Sequence, residues 1–300
     1  MTDVALVTYR ALPELDADDR PLAAALRAAG VEVAIVAWDD PGFDWAAARL
    51  VVLRNPWDYF HRLDEFLAWA ERVSRVTTLV NPLAALRWNL HKGYLVELAE
   101  RGAPVVPTLL LARGESFDIA RTVAERGWRD FVLKPAVSAD SWETHRLGAG
   151  QLDVAQAHVD RLLPERDLLV QPFLDAVEAH GERCLIHVDG RYSHAVRKNA
   201  LTQGGRWAGL PEGTPVEADA DEREAAARVL AACPLGDLLY ARVDLVRDAG
   251  GKPLLLELEL VEPTLFVADQ PAGLERLVAA LRRRLHGARP AGLASGPGAC

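Results

Sequence analysis

Residues 253–264 combine an apolar, strand-like run with two carboxylates, and this segment most restricts how the chain can fold. The apolar run predicts a buried strand, and Glu257 and Glu259 follow at alternate positions. Because strand side chains alternate between two faces, both carboxylates point to the same side. Two carboxylates on one face of an apolar strand repel each other and lose hydration unless a cation lies between them. A hard divalent cation fits that position, and a half-exposed strand with a solvated face is the alternative.

A third carboxylate, Asp244, lies in the preceding strand-like run, residues 240–246. The sequence Asp-Ala-Gly-Gly at 248–251 predicts a turn, so the two runs are expected to form a hairpin. Such a hairpin would bring Asp244 beside Glu257 and Glu259. The sequence therefore predicts a metal site made of these carboxylates, although for residues 253–264 alone the solvated strand stays open.

Composition limits the class of protein. The 300 residues are half hydrophobic, which is enough for a sizeable core and more than one domain. Acids and bases are interspersed at a net charge of -9, which argues against nucleic acid as a partner. The three cysteines lack metal-ligand spacing and indicate a reducing compartment. We see no signal peptide and no apolar run as long as a membrane span, so we expect a cytoplasmic protein without a membrane partner.

Strand-like and helix-like runs alternate over the first third of the chain, which predicts a parallel sheet with right-handed crossovers. Ligands bind beyond the carboxyl ends of such strands, where this chain carries Arg54, Trp57, Asp58 and Tyr59. We expect this loop to hold a small zwitterion, with Arg54 at a carboxylate and Asp58 at an amine. The alternative is a helix start capped by Asp58, with Trp57 filling the core.

A lysine, Lys134, lies inside the apolar run of residues 131–136. A buried ammonium is costly unless it meets an anion; phosphate is one candidate, and a salt bridge is the alternative. The small polar residues that follow make residues 136–142 a candidate lid over phosphates, and residues 202–209 are a second candidate. The spacing of a Walker loop is absent.

The later part of the chain predicts further elements. Residues 184–198 predict a hairpin that turns at Asp189-Gly190 and ends in Arg197 and Lys198. The basic run 282–284 ends a predicted helix, where cations are favourable, and we prefer this interpretation to a nucleic-acid patch. Residues 287–300 are rich in Gly, Pro and Ala and are expected to form a loose tail.

The order of these features resembles the ATP-grasp superfamily, which includes glutathione synthetase and D-alanine–D-alanine ligase. The resemblance covers roughly residues 85–286. It implies ATP as a substrate, with its phosphates on Lys92 and Lys134 and its ribose on Glu182. It implies an adenine-binding hinge made of Gln171, Pro172, Phe173 and Leu174. It also implies that Arg197 faces the γ-phosphate, so that Arg197 and Lys134 act on the transferring group.

The acidic residues of the predicted hairpin also resemble positions of this superfamily. Asp244, Glu257 and Glu259 resemble the magnesium ligands of the superfamily. The Glu-x-Asn-x-x-Ser-Pro-Thr pattern of glutathione synthetase corresponds here to Glu257-x-Glu259-x-x-Glu262-Pro263-Thr264. Glu259 in place of Asn and Glu262 in place of Ser add negative charge. Glu262 and Thr264 are candidate substrate contacts, with Arg54, Trp57, Asp58 and Tyr59.

A narrower set of residues is similar to ATP-grasp proteins of the O-ureido-serine cyclo-ligase type, which make cycloserine. The set consists of Arg54-Asn55-Pro56-Trp57-Asp58-Tyr59, Asn81-Pro82, Arg87-Trp88-Asn89-x-x-Lys92 and Val132-Leu133-Lys134-Pro135. The same pattern occurs in many uncharacterised proteins, so it supports the subfamily more than the substrate.

The expected fold class is α/β, with α+β character in the ATP-grasp part. We expect an N-terminal parallel-sheet domain at residues 1–85, a small ATP-grasp subdomain at 86–174, a large subdomain with the metal site at 175–286, and the tail. The expected function is an ATP- and Mg²⁺-dependent carboxylate–amine ligase working through an acyl phosphate, with cyclisation of O-ureido-D-serine to D-cycloserine as the preferred reaction.

Other functions remain open at this point. They are an intermolecular ligase of amino acids or peptides, a nucleotide-binding protein without turnover, and a periplasmic binding module. The clustered carboxylates argue against the second and the missing signal peptide against the third. The partner is expected to be a small, amino-acid-like molecule, and the protein is a possible homodimer.

Overall fold

The computed structural model describes residues 2–139, 141–198, 202–203, 206–207 and 213–287, without the side chains of 202–203 and 206–207. The predicted tail beyond Gly287 and half of the candidate lid, residues 204–205 and 208–209, lie outside the described residues.

Strands and helices alternate in the N-terminal part. Its elements are β1 (Thr2–Thr8), α1 (Arg20–Ala28), β2 (Val33–Ala37), β3 (Ala48–Leu53), α2 (Leu63–Val76) and β4 (Thr78–Val80). The strands form a four-stranded parallel sheet in the order β2-β1-β3-β4, which confirms the predicted parallel sheet. Pro21 lies in the first turn of α1, where its fixed φ suits a helix and its missing N–H breaks no bond.

The middle of the chain contains a second, antiparallel sheet. Its elements are α3 (Leu83–Asn89), α4 (Tyr94–Glu100), β5 (Leu109–Leu111), α5 (Ile119–Arg126), β6 (Asp130–Pro135), β7 (His145–Gly148), α6 (Leu152–Leu162) and β8 (Leu168–Pro172). The strand order is β5-β8-β6-β7. Buried side chains of α5 and α6 share one core with this sheet.

A third sheet occupies the C-terminal part. Its elements are α7 (Ala176–Ala179), β9 (Glu182–Val188), β10 (Arg191–Lys198), β11 (Thr202–Gln203), β12 (Arg206–Trp207), β13 (Gly213–Val216), α8 (Ala220–Ala232), β14 (Tyr240–Arg247), β15 (Pro253–Glu259) and α9 (Pro271–Gly287). Five strands form an antiparallel sheet in the order β13-β10-β9-β14-β15, and β11 pairs with β12.

Both predicted hairpins are confirmed. The β9–β10 turn places Asp189 at φ 51° and Gly190 at φ 71°, and a tight turn with two left-handed residues matches the twist of the strands it joins. The β14–β15 hairpin pairs Asp244 with Glu257. Its register therefore sets the acidic residues of the two strands opposite each other.

The segment before β5 belongs with the third sheet. The Val106 N–H donates to the Leu255 carbonyl at 2.9 Å, and the Leu255 N–H donates to the Pro104 carbonyl at 2.6 Å. Buried side chains of α4 also pack on that sheet. The second sheet begins at Leu109, and the boundary of the small subdomain at residue 86 stays a prediction.

One hydrophobic core joins the first and third sheets. It contains Val4 and Leu50 of the N-terminal sheet, Tyr240 of β14, and Leu277 and Leu281 of α9. The opposite face of the third sheet packs on α4 and α8. Within the described residues we find no helix with the length and apolar character needed to traverse a lipid bilayer.

Arg54 connects the N-terminal domain to the segment after β15. Its guanidinium is fully buried, and its Nε donates to Asp19 Oδ1 at 2.7 Å. Its Nη2 donates to the Pro263 carbonyl, also at 2.7 Å. This geometry corrects the expectation that Arg54 binds a substrate carboxylate, because the guanidinium lies inside the protein and already holds a carboxylate.

Replacing Asp19 by Ala is expected to lower the free energy of unfolding by about 3–5 kcal/mol, because a buried guanidinium loses its counter-ion. The measurement is urea denaturation followed by tryptophan fluorescence. Asp175→Ala is the control, since its pair with Arg129 is largely exposed and should matter by less than about 1 kcal/mol. Equal effects of the two substitutions would contradict a structural role for the buried pair.

Candidate active site

Three carboxylates meet at the open end of the β14–β15 hairpin. Asp244 lies opposite Glu257 in the strand register, and Glu259 lies opposite Arg242. Asp244 is almost fully buried, whereas the side chains of Glu257 and Glu259 remain 26% and 27% exposed. The predicted juxtaposition of the three acids is therefore confirmed, and two of them can be reached from outside.

Cations hold these carboxylates from several directions. Lys92 Nζ lies 3.1 Å from Glu257 Oε1. Lys198 Nζ lies 2.8 Å from Asp244 Oδ2. Lys198 also contacts Glu182, at 2.8 Å. Arg242 pairs with both Asp244 and Glu259. Each acid is thus paired, as buried charges must be.

The ion pairs affect the pKa values of Glu259 and Asp244 differently. Burial raises the pKa of Glu259 to about 8, and Arg242 only partly opposes this effect. Although burial also acts against ionisation of Asp244, Arg242 and Lys198 hold the pKa of that carboxyl well below its usual range. Burial therefore opposes the ionisation of Glu259, and the contact with Arg242 favours it.

These donors fit a hard divalent cation. Glu257 and Glu259 offer carboxylate oxygens, the ligand type that Mg²⁺ prefers, and added positive charge would favour the ionised form of Glu259. Asp244 is less accessible to a cation, because its Oδ2 accepts from Arg242 and Lys198 and its Oδ1 accepts from Arg242 Nε at 2.8 Å.

Lys134 supplies an unpaired ammonium beside this cluster. It is buried in β6, and no carboxylate of the described residues lies within 4.0 Å of its Nζ. Burial lowers the pKa of Lys134, and the charge of Glu257 opposes that shift. An ammonium in this state gains most from an anionic ligand, which is the role predicted from the sequence.

Strand alternation corrects the position of Arg197. Lys198 points to the carboxylate cluster, so its neighbour Arg197 points to the opposite face of the sheet. Arg197 Nη2 donates instead to the Ala179 carbonyl at 3.3 Å. The cation of β10 at the cluster is therefore Lys198, which the sequence analysis named without a role.

Arg242 is the other cluster residue that the sequence analysis missed. It is buried, donates to the Thr264 carbonyl at 3.1 Å and touches two of the predicted metal ligands. The sequence does contain an indication of its position, because Arg242 and Asp244 are two residues apart on one strand and therefore share a face.

The predicted hinge begins in the last two residues of β8, Gln171 and Pro172, and continues into Phe173 and Leu174. Gln171 Nε2 donates to Thr108 Oγ1 at 2.9 Å, and the Phe173 N–H donates to the Asp130 carbonyl at 2.9 Å. The Arg146 guanidinium lies 3.5 Å from the centroid of the Phe173 ring. No backbone hydrogen bond among the described residues uses the Leu174 N–H. Adenine binding by Pro172, Phe173 and Leu174 stays a prediction.

The loop after β3 contacts the segment after β15. Trp57 Nε1 lies 3.3 Å from the Glu262 carbonyl, and the Tyr59 hydroxyl donates to the Glu262 carboxylate. Asp58 instead accepts from Trp38 Nε1 at 2.8 Å and from Arg62 Nη2 at 2.6 Å. Both oxygens of Asp58 thus accept hydrogen bonds within the N-terminal domain, and amine binding by Asp58 stays a prediction.

The candidate lid at 136–142 lies between the first sheet and the cluster. Lys92 Nζ donates to the Ser138 carbonyl at 2.7 Å. Val137 and Ala139 pack on the core of the N-terminal domain, and the Trp142 ring lies 5.8 Å from that of Phe60. Its role as a lid stays a prediction.

A separate group, Glu143, His145 and His158, brings three ligand-type atoms within 4.8 Å of one another. Arg161 already occupies this group, since its Nη2 lies 2.6 Å from Glu143 Oε2 and 3.0 Å from His158 Nδ1. The group is therefore an ion-paired network in this structure.

Comparison with known proteins gives consistent results. Residues 4–81 match the family described as D-cycloserine synthetase DcsG, N-terminal domain. The cycloserine biosynthesis protein DcsG of Streptomyces lavendulae is 39% identical over 305 residues, covering 94% of this chain and 98% of that protein. The crystal structure of D-cycloserine synthetase DcsG has a TM-score of 0.87 at 38% identity, covering 94% of this chain and 99% of that one.

A more distant similarity shows the fold alone. The ATP-grasp ligase PsnB, complexed with minimal precursor, Mg and ADP, has a TM-score of 0.61 at 18% identity and covers 95% of this chain and 99% of its own. The predicted fold class, a parallel N-terminal sheet followed by an ATP-grasp fold, is confirmed by these structures.

Replacing Lys198 by Met is expected to lower kcat/KM for ADP release from ATP by about 10²- to 10³-fold. The substitution removes a cation beside the carboxylate cluster, where positive charge would stabilise the transferring phosphoryl group. Arg197→Met is the matched control, adjacent in sequence but on the other face, and should lose less than about tenfold. A coupled ADP assay measures both variants. A larger loss in Arg197→Met would reverse the face assignment.

Proposed function

The chain belongs to the family of the cycloserine biosynthesis protein DcsG, and from that premise we propose that it is an ADP-forming ligase that closes O-ureido-D-serine into D-cycloserine. Identity of 39% along nearly the whole chain is the observation that carries this proposal. The cluster of Asp244, Glu257 and Glu259 with lysines around it supplies the matching chemistry.

The reaction must make a carboxylate electrophilic. Transfer of the γ-phosphoryl group from ATP to the substrate carboxylate gives an acyl phosphate and ADP. The nitrogen attached to the side-chain oxygen then attacks the carbonyl carbon, the C–O bond to phosphate breaks, and a five-membered ring closes. Water removes the carbamoyl group as carbon dioxide and ammonia, so the sum is substrate, ATP and water to cycloserine, ADP, phosphate, carbon dioxide and ammonia.

The lysines suit the phosphoryl transfer. Lys134 has no paired carboxylate within 4.0 Å in the described residues, and Lys92 and Lys198 lie on either side of the acidic cluster. Positive groups fixed around the transferring phosphoryl group stabilise charge without reorganising during the reaction. These three residues are the proposed phosphate contacts, with Lys198 in place of Arg197.

Magnesium is the proposed metal, and Glu257, Glu259 and Asp244 would hold it. When bound, it would neutralise the phosphate oxygens of ATP and help to orient them. Support comes from the oxygen-only donor set and from PsnB, whose complex contains Mg and ADP. Glu182, partly buried beside Lys198, remains the proposed ribose contact.

An acyl phosphate needs protection from water. Residues 136–142 are the proposed lid, because Lys92 connects Ser138 of this loop directly to Glu257 of the acidic cluster. Movement of the loop would therefore change the environment of a phosphate-binding lysine. This coupling favours closure after ATP has bound.

The test is ADP release by the purified protein with Mg²⁺, ATP and a panel of carboxylates that includes both O-ureido-serine enantiomers and short peptides. We expect release with O-ureido-D-serine and a cycloserine product identified by mass spectrometry. Asp244→Asn should lose this turnover while its circular dichroism stays unchanged. Release only with a peptide or with a separate amine would replace the cyclo-ligase proposal by an intermolecular ligase.

A further inference from the structure

Glu262 is an acid near the cluster to which no metal or phosphate role has been given. Its segment follows β15 and is held on both sides through backbone carbonyls. Arg54 Nη2 donates to the Pro263 carbonyl at 2.7 Å, and Trp57 Nε1 to that of Glu262 at 3.3 Å. The Tyr240 hydroxyl donates to the Val261 carbonyl at 2.9 Å. The N-terminal domain and β14 together therefore hold the backbone of this segment in place.

The carboxylate itself differs from the other acids of the site. Asp244, Glu182, Glu257 and Glu259 each have an ion pair within 4.0 Å. No such pair involves Glu262 among the described residues, and its partner is the neutral hydroxyl of the buried Tyr59. A phenol that donates one hydrogen bond orients a carboxylate and leaves it lone pairs to accept a proton.

The surroundings of Glu262 shift its pKa in both directions. Burial and the charge of Glu257 raise the pKa, whereas the hydrogen bond from Tyr59 and the charges of Lys92 and Arg242 lower it. The net effect raises the pKa of Glu262 to about 7. A group with such a pKa can both accept and release a proton near neutrality. The geometry and the pKa therefore agree on a group able to exchange protons.

We propose that Glu262 is the general base of ring closure, taking the proton from the ureido nitrogen as that nitrogen attacks the activated carboxyl carbon. This inference rests on the function proposed above. The N–H bond breaks toward a Glu262 oxygen, the N–C bond forms, and phosphate leaves with the electrons of the C–O bond. Glu262 afterwards returns the proton to solvent.

The chemistry of the substrate explains why this base is needed. The lone pair of a ureido nitrogen is delocalised into the neighbouring carbonyl, so the nitrogen attacks poorly while it keeps its proton. Removal of that proton during attack restores the nucleophile. A simple amine, once neutral, carries a free lone pair and has less need of a base.

The test separates activation of the carboxylate from ring closure. In Glu262→Gln, formation of cycloserine is expected to fall by about 10²- to 10⁴-fold, the range for loss of a general base. Hydroxylamine, whose lone pair is free at neutral pH, should still capture the acyl phosphate. Hydroxamate formation and hydroxylamine-dependent ADP release should therefore fall by less than about tenfold.

Tyr59→Phe is the matched comparison, because it keeps the carboxylate and removes only the hydrogen bond that orients it. Its loss of ring closure should be smaller, about tenfold, the effect of one hydrogen bond to a charged group. Thermal melting of both variants identifies any loss that comes from unfolding instead of chemistry.

Three results would overturn the inference. Ring closure at the wild-type rate in Glu262→Gln excludes a base at this position. Equal loss of cycloserine and hydroxamate, with a raised KM for substrate, assigns Glu262 to binding of the substrate ammonium instead. Absence of ADP release by the wild-type protein with O-ureido-D-serine rejects the proposed function, and the role of Glu262 with it.

Discussion

Pairing of buried carboxylates with buried cations across the β14–β15 hairpin is the interaction on which the site depends. Arg242 pairs with Asp244 and Glu259, and Lys198 holds Asp244 from β10. Without these cations the acids could not remain charged inside the protein, since burial alone favours their neutral forms. Burial still raises the pKa of Glu259, and a further positive charge beside it would favour its ionised form. Binding of a metal and of phosphate can thus draw on charges that the fold has already collected.

The N-terminal domain contributes to this site mainly by holding the segment after β15 in place. Arg54 is held by Asp19 and in turn holds the Pro263 carbonyl, while Trp57 and Tyr59 contact Glu262. The first sheet therefore fixes the segment that follows β15. A rigid support of this kind suits an enzyme in which the nucleophile and the electrophile belong to one small molecule, because errors in placement reduce the rate directly.

The hairpin and its acids could be predicted from sequence because both signals are local. A period of two places Glu257 and Glu259 on one face, and the Asp-Ala-Gly-Gly turn brings Asp244 beside them. The partners of buried charges could not be predicted in the same way. Arg54 and Asp19 are 35 residues apart, and the contact between Trp57 and Glu262 spans 205 residues. Whether Lys198 or Arg197 faces the cluster depends on the register of β10. A shift of one residue would turn every side chain of the strand to the opposite face.

Calorimetric titration of ATP with and without Mg²⁺ measures whether the acidic hairpin couples the binding of a metal ion to that of ATP. In the wild-type protein Mg²⁺ should strengthen ATP binding by at least about tenfold, a coupling free energy of about 1.4 kcal/mol. In Glu259→Gln that gain should disappear because a metal-ligand oxygen is replaced, while Mg²⁺-free ATP binding should stay about equal, since Gln has nearly the same size and brings no new charge. A full Mg²⁺ effect in Glu259→Gln would contradict the account, since the metal would then be held elsewhere.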